Sequence, residues 1–249
     1  MPSAIIAGTM IYDIPDATFK EEQIDTPYGK ALIQRVQGDF DDLIFLARHG
    51  LSHDTPPHKI NYRANIKALE ILGVKRVLAA NAIGSINKAI PPLGLALVTD
   101  FLDFTTNREN TFFDGGDSGV KHVDMSITYS RTLNKQLLAL APDFEIDLRP
   151  NSVMVVTNGP RLESPAEIKM YGKLGGDIVG MTGIPEATLS RELGISYSAV
   201  GFSVNWAAGI EQTIKFVGDS DSFMKIKANL LALFIETLKS TSDEECAKD

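Results

Sequence analysis

Cysteine is nearly absent from this sequence, and histidine is scarce. The 249 residues include one cysteine, Cys246, and four histidines. A single cysteine cannot form a disulfide within the chain, and no group of cysteine and histidine has the spacing of a zinc site. The sequence therefore predicts neither a disulfide framework nor a metal centre, and it is typical of a protein of the reducing cytoplasm.

Long apolar runs and an excess of positive charge are also missing. No stretch approaches the about 18 consecutive apolar residues that a membrane-spanning helix needs, and the first residues lack the charged segment and apolar core of a signal peptide. The 24 Lys and Arg residues are outnumbered by 32 Asp and Glu residues, which gives a net charge of −8. We therefore expect a soluble protein that binds neither membranes nor nucleic acid.

The apolar residues that are present, 44% of the chain, suffice for a large core. Short apolar segments alternate with segments of helical period, which predicts an α/β fold: a single domain over 1–240 with a mixed, largely parallel central sheet flanked by helices. A polar C-terminal tail, 241–249, is expected to fray. The predicted strands are 4–7, 31–36, 43–47, 76–80, 96–100, 153–157, 177–181 and 197–204. The predicted helices are 60–72, 131–141, 164–173, 185–193 and 222–238. Two of them have start signals: Ser164 and Glu167 have the spacing of a capping box with proline between them at the first helical position, and Pro185-Glu186 begins the other.

Basic side chains cluster directly after the predicted strand 43–47. Arg48 and His49 follow that strand at once, and His53 and His58 lie close behind them. A basic loop at a strand end is often only a solvated turn. An unpaired guanidinium beside an apolar strand is costly to bury, however, and ligands of open α/β sheets bind at the carboxyl ends of strands. The cluster therefore favours a site for a phosphate or a sugar.

Three other predicted strands end in small or hydroxyl-bearing residues. These turns are Gly8-Thr9, the segment 81–85 and Met181-Thr182-Gly183. Each turn alone is ordinary. If the strands run parallel, the turns and Arg48 meet at one edge of the sheet, where backbone amides, hydroxyls and cations together form a phosphate cradle.

Six blocks of the sequence resemble the trimeric nucleoside phosphorylases, specifically the purine nucleoside and methylthioadenosine phosphorylases. In chain order they are AGT (7–9), RHGLSH (48–53), PHKINYRAN (57–65), NAIGS (81–85), NGPRLE (158–163) and GMTGIPE (180–186). The resemblance covers nearly the whole chain. It implies the nucleoside phosphorylase fold, a homotrimer or a dimer of trimers, and reversible phosphorolysis of an N-glycosidic bond. Inorganic phosphate is then a co-substrate that attacks the anomeric carbon of a purine nucleoside, with no metal or organic cofactor.

The same resemblance implies roles for individual residues. His53 would act beside the phosphate site as a catalytic residue, Met181 would contact the ribose, and His122 would reach the active site of a neighbouring subunit. The implied phosphate ligands are Thr9, Arg48, His49, the backbone of Ala82, and Thr182. Two departures concern this phosphate site: Met10 stands where the family usually has glycine, and Leu51 stands where methylthioadenosine phosphorylases have arginine.

The side chains implied to bind the base, Leu162, Glu163 and Asn205, favour a 6-oxopurine. Such a base offers an N1–H donor and an O6 acceptor, and adenine offers the reverse. Glu163 can accept from N1–H, and the catalytic Asn205 can donate to O6 and accept from a protonated N7. Ala207 stands where adenine-specific relatives carry an aspartate.

The absence of one histidine indicates which sugar the substrate carries. In ordinary purine nucleoside phosphorylases, a histidine downstream of the base-binding asparagine contacts the 5′-hydroxyl. No histidine follows His122 here, and the corresponding region offers Ile214, Phe216 and Val217. We therefore expect the substrate to be 5′-methylthioinosine, with hypoxanthine and 5-methylthioribose 1-phosphate as products. The alternatives are an inosine/guanosine phosphorylase, a methylthioadenosine phosphorylase and a non-catalytic nucleoside-binding relative. A nucleosidase that uses water is disfavoured, since water needs no phosphate cradle.

Overall fold

The computed structural model describes residues 2–8, 17–38, 42–218 and 220–247. Nine strands form one sheet in this part of the chain. They are β1 (Ser3–Ala7), β2 (Thr18–Thr26), β3 (Gly29–Gln37), β4 (Leu43–Ala47), β5 (Arg76–Ser85), β6 (Leu95–Asp103), β7 (Leu148–Val156), β8 (Ile178–Gly180) and β9 (Ser196–Trp206). The α-helices are α1 (Tyr62–Ile71), α2 (Arg131–Leu140), α3 (Pro165–Lys173), α4 (Glu186–Glu192), α5 (Asp221–Ser240) and α6 (Asp243–Cys246).

The strand order is β2-β3-β4-β1-β5-β8-β7-β6-β9, and β5 also pairs with β9. This extra pairing closes β5, β8, β7, β6 and β9 into a ring. Parallel pairings join β1 to β4 and to β5, β5 to β9, β6 to β7, and β7 to β8, while the other four pairings are antiparallel. The predicted α/β fold with a mixed central sheet is confirmed.

Helices cover both faces of the sheet because its strands are apolar on both sides. Alternate residues of a strand point to opposite faces. In β1, Ala4 and Ile6 therefore belong to a core cluster that includes α1 and α4, whereas Ile5 and Ala7 belong to a second cluster that includes α2 and α5. All five predicted helices are present, and Ser164 begins α3 with the predicted capping box to Glu167.

Three sequence predictions about the elements were wrong or incomplete. Strand β2 was missed because it is a largely exposed edge strand with a polar sequence, TFKEEQIDT. The segment 81–85, predicted as a turn, continues β5 along its pairing with β9. The polar tail does not fray over its described part: Cys246 is buried, and Asp243 forms an ion pair with Arg76 at 2.6 Å.

No helix in the described residues is long and apolar enough to cross a membrane.

Candidate active site

A cavity lies beside the ends of β4 and β8 and along the second halves of β5 and β9. It brings together the segments singled out from the sequence. Its lining residues are Arg48, His49, Pro57, Ala82, Ile83, Gly84, Leu162, Glu163, Val179, Gly180, Met181, Thr182, Val204, Asn205, Ala207, Ala208, Ile214 and Phe216. Eight residues with predicted roles are among them: Arg48, His49, Ala82, Leu162, Glu163, Met181, Thr182 and Asn205.

Two residues with predicted roles, His53 and His122, do not line this cavity, and a third, Thr9, lies outside the described residues, as does Met10. His53 is exposed and packs its ring against that of His49, with 4.7 Å between the ring centroids. His122 is exposed in the long connection between β6 and α2.

The segments do not all meet in the way predicted, which was at the carboxyl ends of parallel strands. Strands β1, β4 and β5 run parallel, as expected, but β8 runs antiparallel to β5, with Val179 opposite Gly84. The chain that leaves β8 therefore runs back along β5. This return brings the Thr182 hydroxyl to the Asn81 Oδ1 atom, at 3.0 Å, and Met181 and Thr182 to the cavity wall beside Ala82.

Arg48 is buried, and its guanidinium is paired. Its Nε and Nη2 atoms donate to the two carboxylate oxygens of Glu186, at 2.7 and 3.0 Å, and both side chains are only 1% exposed. The Tyr197 hydroxyl donates to the same carboxylate at 2.9 Å. Burial is the largest single influence and lowers the pKa of Arg48, but the charge of Glu186 and its hydrogen bond to the guanidinium, with smaller contributions from Tyr197 and Tyr62, together outweigh it, so the net direction is upward. Arg48 therefore stays charged, and Glu186 neutralises that charge.

One edge of Arg48 still faces the backbone at Gly8. Its Nη1 atom donates one N–H to the Ala80 carbonyl at 2.6 Å and has a second N–H. A Cβ placed on Gly8 would lie 3.2 Å from this Nη1 and 2.7 Å from the His49 Cδ2 atom. The backbone at Gly8 therefore passes so close to both side chains that only glycine fits.

His49 is held as a neutral ring and not as a cation. Its Nδ1 atom lies 2.8 Å from the Thr55 carbonyl oxygen, so Nδ1 carries the proton and Nε2 carries the lone pair. Burial, together with the charge of Arg48 and the neighbouring His53, lowers the pKa of His49 to about 4 despite the Thr55 carbonyl. At neutral pH, Nε2 is a hydrogen-bond acceptor.

Two further polar side chains that line the cavity, Glu163 and Asn205, are partly fixed by the protein. Glu163 accepts a hydrogen bond at Oε1 from the Thr157 hydroxyl, at 2.6 Å. Asn205 donates one N–H to the Trp206 carbonyl at 2.7 Å, which leaves its Oδ1 and a second N–H for a ligand. Gly84 provides the space for Asn205, since a Cβ there would lie 3.2 Å from the amide nitrogen.

Apolar side chains complete the wall. Ile214 and Phe216, both predicted for the 5′ region of the sugar, line the cavity together with Pro57 and Ala208. Val217, predicted with them, packs against the core that includes α5 instead. The buried Ala207 also lines the cavity, and its N–H donates to the Ser85 carbonyl at 2.9 Å.

The sequence did not reveal the residues that hold the cavity-lining segments in place through hydrogen bonds. Arg108 is the main example: its guanidinium donates to the carbonyls of Thr157, Asn158, Met181 and Ile184 at 2.6 to 3.3 Å. It thereby joins the segment after β7 to the segment after β8. Nothing near Arg108 in the sequence indicates this role, whereas Glu186 carried a signal in the GMTGIPE block, where it was interpreted only as a helix start.

Comparisons with known proteins identify the family of this chain. A family model described as "Phosphorylase superfamily" matches residues 2–239. The chain is 45% identical over 214 residues to a probable 6-oxopurine nucleoside phosphorylase of Moorella thermoacetica, covering 86% of this chain and 82% of that protein. It is 44% identical over 208 residues to a probable S-methyl-5′-thioinosine phosphorylase of Methanopyrus kandleri, covering 83% and 79%.

A solved structure extends the likeness to the whole fold. Methylthioadenosine phosphorylase from Schistosoma mansoni, in complex with tubercidin, matches with a TM-score of 0.87 and 26% identity. The match covers 99% of this chain and 95% of that one. The family match over almost the full chain and relatives of up to 45% identity show that the protein belongs to the phosphorylase superfamily.

Proposed function

We propose that this protein catalyses the reversible phosphorolysis of 6-oxopurine nucleosides, and that its preferred substrate is 5′-methylthioinosine. The products are hypoxanthine and 5-methylthioribose 1-phosphate. The observation that carries the proposal is the pair Glu163 and Asn205, which face one cavity with hydrogen-bonding atoms that suit a 6-oxopurine. Relatives named as 6-oxopurine nucleoside and methylthioinosine phosphorylases support it.

The base is recognised by complementary donors and acceptors. Glu163 Oε2 accepts from the N1–H of hypoxanthine, whereas the bare N1 of adenine would be repelled. Asn205 donates its second N–H to O6 and accepts at Oδ1 from the proton that N7 gains as the glycosidic bond breaks. Leu162 packs against the ring. A mismatched buried group costs about 1–3 kcal/mol, enough to separate the two bases by tens-fold.

The phosphate is held at the opposite end. Arg48, Thr9, the backbone of Ala82 and Thr182, whose hydroxyl turns from Asn81 to the phosphate, supply donors, and His49 Nε2 accepts from a P–OH group. A phosphate oxygen forms a bond to the anomeric carbon while the bond to the base nitrogen breaks and its electron pair leaves with the base. The anionic phosphate stabilises the developing oxocarbenium character of the sugar. No further cofactor is needed.

The sugar lies between these two ends. Met181 contacts the ribose, and His53 acts beside the phosphate as the second catalytic residue with Asn205. Ile214 and Phe216 surround the 5′ position, and their apolar side chains suit a methylthio group better than a hydroxyl. The second candidate, an inosine/guanosine phosphorylase, is favoured by the names of several relatives at 40 to 45% identity.

We also propose that the protein works as a homotrimer or a dimer of trimers in the cytoplasm, with His122 reaching a neighbouring site. The single cysteine, Cys246, is buried, and a chain with one cysteine suits a reducing compartment. Analytical ultracentrifugation tests the assembly. A monomer at the concentrations used for activity assays would contradict this part of the proposal.

The decisive experiment measures base release from 5′-methylthioinosine, inosine, guanosine and 5′-methylthioadenosine, each with and without phosphate. We expect phosphate-dependent release with the highest kcat/KM for methylthioinosine. Preference for inosine or guanosine would overturn the assignment of the sugar, and preference for methylthioadenosine that of the base. Binding without release would indicate a non-catalytic relative, and release without phosphate would indicate a nucleosidase.

A further inference from the structure

Thr157, directly after β7, has a hydroxyl group whose place is set by the protein and not by a ligand. Its backbone N–H donates to the Gly180 carbonyl at 2.9 Å, and its own carbonyl accepts from Arg108 Nη2 at 3.2 Å. These contacts fix the residue on both sides. The hydroxyl then donates to Glu163 Oε1 at 2.6 Å, a short charge-assisted hydrogen bond.

Thr157 is not among the residues that line the cavity, so any effect on the ligand must pass through Glu163. A carboxylate can accept at both oxygens. With Oε1 held by the threonine hydroxyl, the side chain loses its rotational freedom and Oε2 is left as an acceptor. A base with an N1–H donor matches that acceptor, and a base with a lone pair at N1 does not.

We propose that Thr157 is a positioning residue that sets base selectivity by holding the Glu163 carboxylate in the orientation that accepts from a 6-oxopurine N1–H. The inference rests on the proposed function and deepens it. It assigns the preference for 6-oxopurines to a pair of residues and not to Glu163 alone. It also explains why a partly exposed loop, 158–163, can present a carboxylate in one defined direction.

The test uses the matched variants Thr157→Val, which keeps the shape and removes the hydroxyl, and Thr157→Ser, which keeps the hydroxyl. For Thr157→Val we expect kcat/KM for methylthioinosine to fall about tenfold or more, with little loss for methylthioadenosine, so the selectivity ratio falls similarly. Thr157→Ser should stay close to wild type. The KM for phosphate should not change in either variant.

A cycle with Glu163→Ala separates positioning from a direct or merely structural role. If Thr157 acts through Glu163, adding Thr157→Val to Glu163→Ala causes no further loss of selectivity. An unchanged selectivity ratio in Thr157→Val, or an equal loss for both substrates, would overturn the inference while leaving the proposed function intact. The wild-type protein tests that function independently, by releasing hypoxanthine only when phosphate is present. If Thr157→Val does not fold, the comparison of Thr157→Ser and Thr157→Ala by the same ratio decides the question.

Discussion

Removing one charge of the buried ion pair between Arg48 and Glu186 should change both the stability of the fold and the affinity for phosphate. We consider Glu186→Gln, which removes the negative charge with almost no change in shape. Breaking a buried pair on one side costs about 3–5 kcal/mol, because it leaves the other charge uncompensated. Domains are typically stable by about 5–15 kcal/mol, so this loss is a large share of the total.

The same substitution should change phosphate binding in the opposite direction. In the wild type, Glu186 neutralises the guanidinium and occupies two of its N–H groups. Without that carboxylate, a bound phosphate is the nearest anion available to Arg48. We therefore expect the KM for phosphate to fall several-fold in the variant, even as the free energy of unfolding decreases.

Urea unfolding followed by circular dichroism, at one protein concentration and without phosphate, measures the free energy of unfolding. Steady-state kinetics measure the KM for phosphate. Tyr197→Phe is the matched control. Burial raises the pKa of Tyr197 well above its ordinary value, so its neutral hydroxyl donates to Glu186 without changing the charge. Losing this hydroxyl should lower the free energy of unfolding by about 0.5–1.5 kcal/mol and leave the KM for phosphate unchanged.

A double variant, Arg48→Met with Glu186→Met, completes the design. Replacing both charges with apolar side chains should restore most of the stability lost in Glu186→Gln. It should also abolish tight phosphate binding. The reasoning fails if Glu186→Gln loses less than about 1 kcal/mol, the typical worth of a single hydrogen bond, or if its KM for phosphate rises to the level of the double variant.

Four further predictions concern the walls of the cavity and the stability of the fold. Asn205→Asp should shift the kcat/KM ratio toward adenine nucleosides by about tenfold or more, and an unchanged ratio would contradict the assignment of base recognition. Gly8→Ala should raise the KM for phosphate about tenfold, because its Cβ would meet His49 at 2.7 Å; a normal KM would show that phosphate binds elsewhere. Phosphate binding should leave His49 neutral, because its pKa is about 4 and HPO4²⁻ already carries the P–OH group that donates to Nε2. Calorimetry in buffers of different ionisation enthalpy, at a mildly alkaline pH where HPO4²⁻ predominates, should detect no proton uptake; uptake of a proton would contradict the acceptor role. The same depressed pKa makes the fold less stable on acidification from about pH 6.5 to 4, because the unfolded chain binds the proton first.

The sequence predicted most of the fold because its signals are local. The apolar runs 4–7 and 43–47 could only be buried strands, and the Ser164 capping box began a helix where predicted. Strand β2 escaped because its position depends on pairing with β3 and not on its own mostly exposed side chains. The tail likewise could not be interpreted locally, since its order depends on Arg76, which lies far away in the sequence.

The candidate site divides in the same way. Motifs that resemble those of the nucleoside phosphorylases identified eight residues that line the cavity, and Arg48 and His49 also stood out because they directly follow an apolar strand. The sequence could not show that Glu186 neutralises Arg48, that the Thr55 carbonyl fixes the proton of His49, or that Arg108 joins two loops. Each of these contacts links segments brought together by folding, or depends on burial, which strengthens charge interactions and moves the pKa of a group. The sequence by itself therefore determined which groups take part, and only the tertiary structure decided their charges, their protons and the directions in which they point.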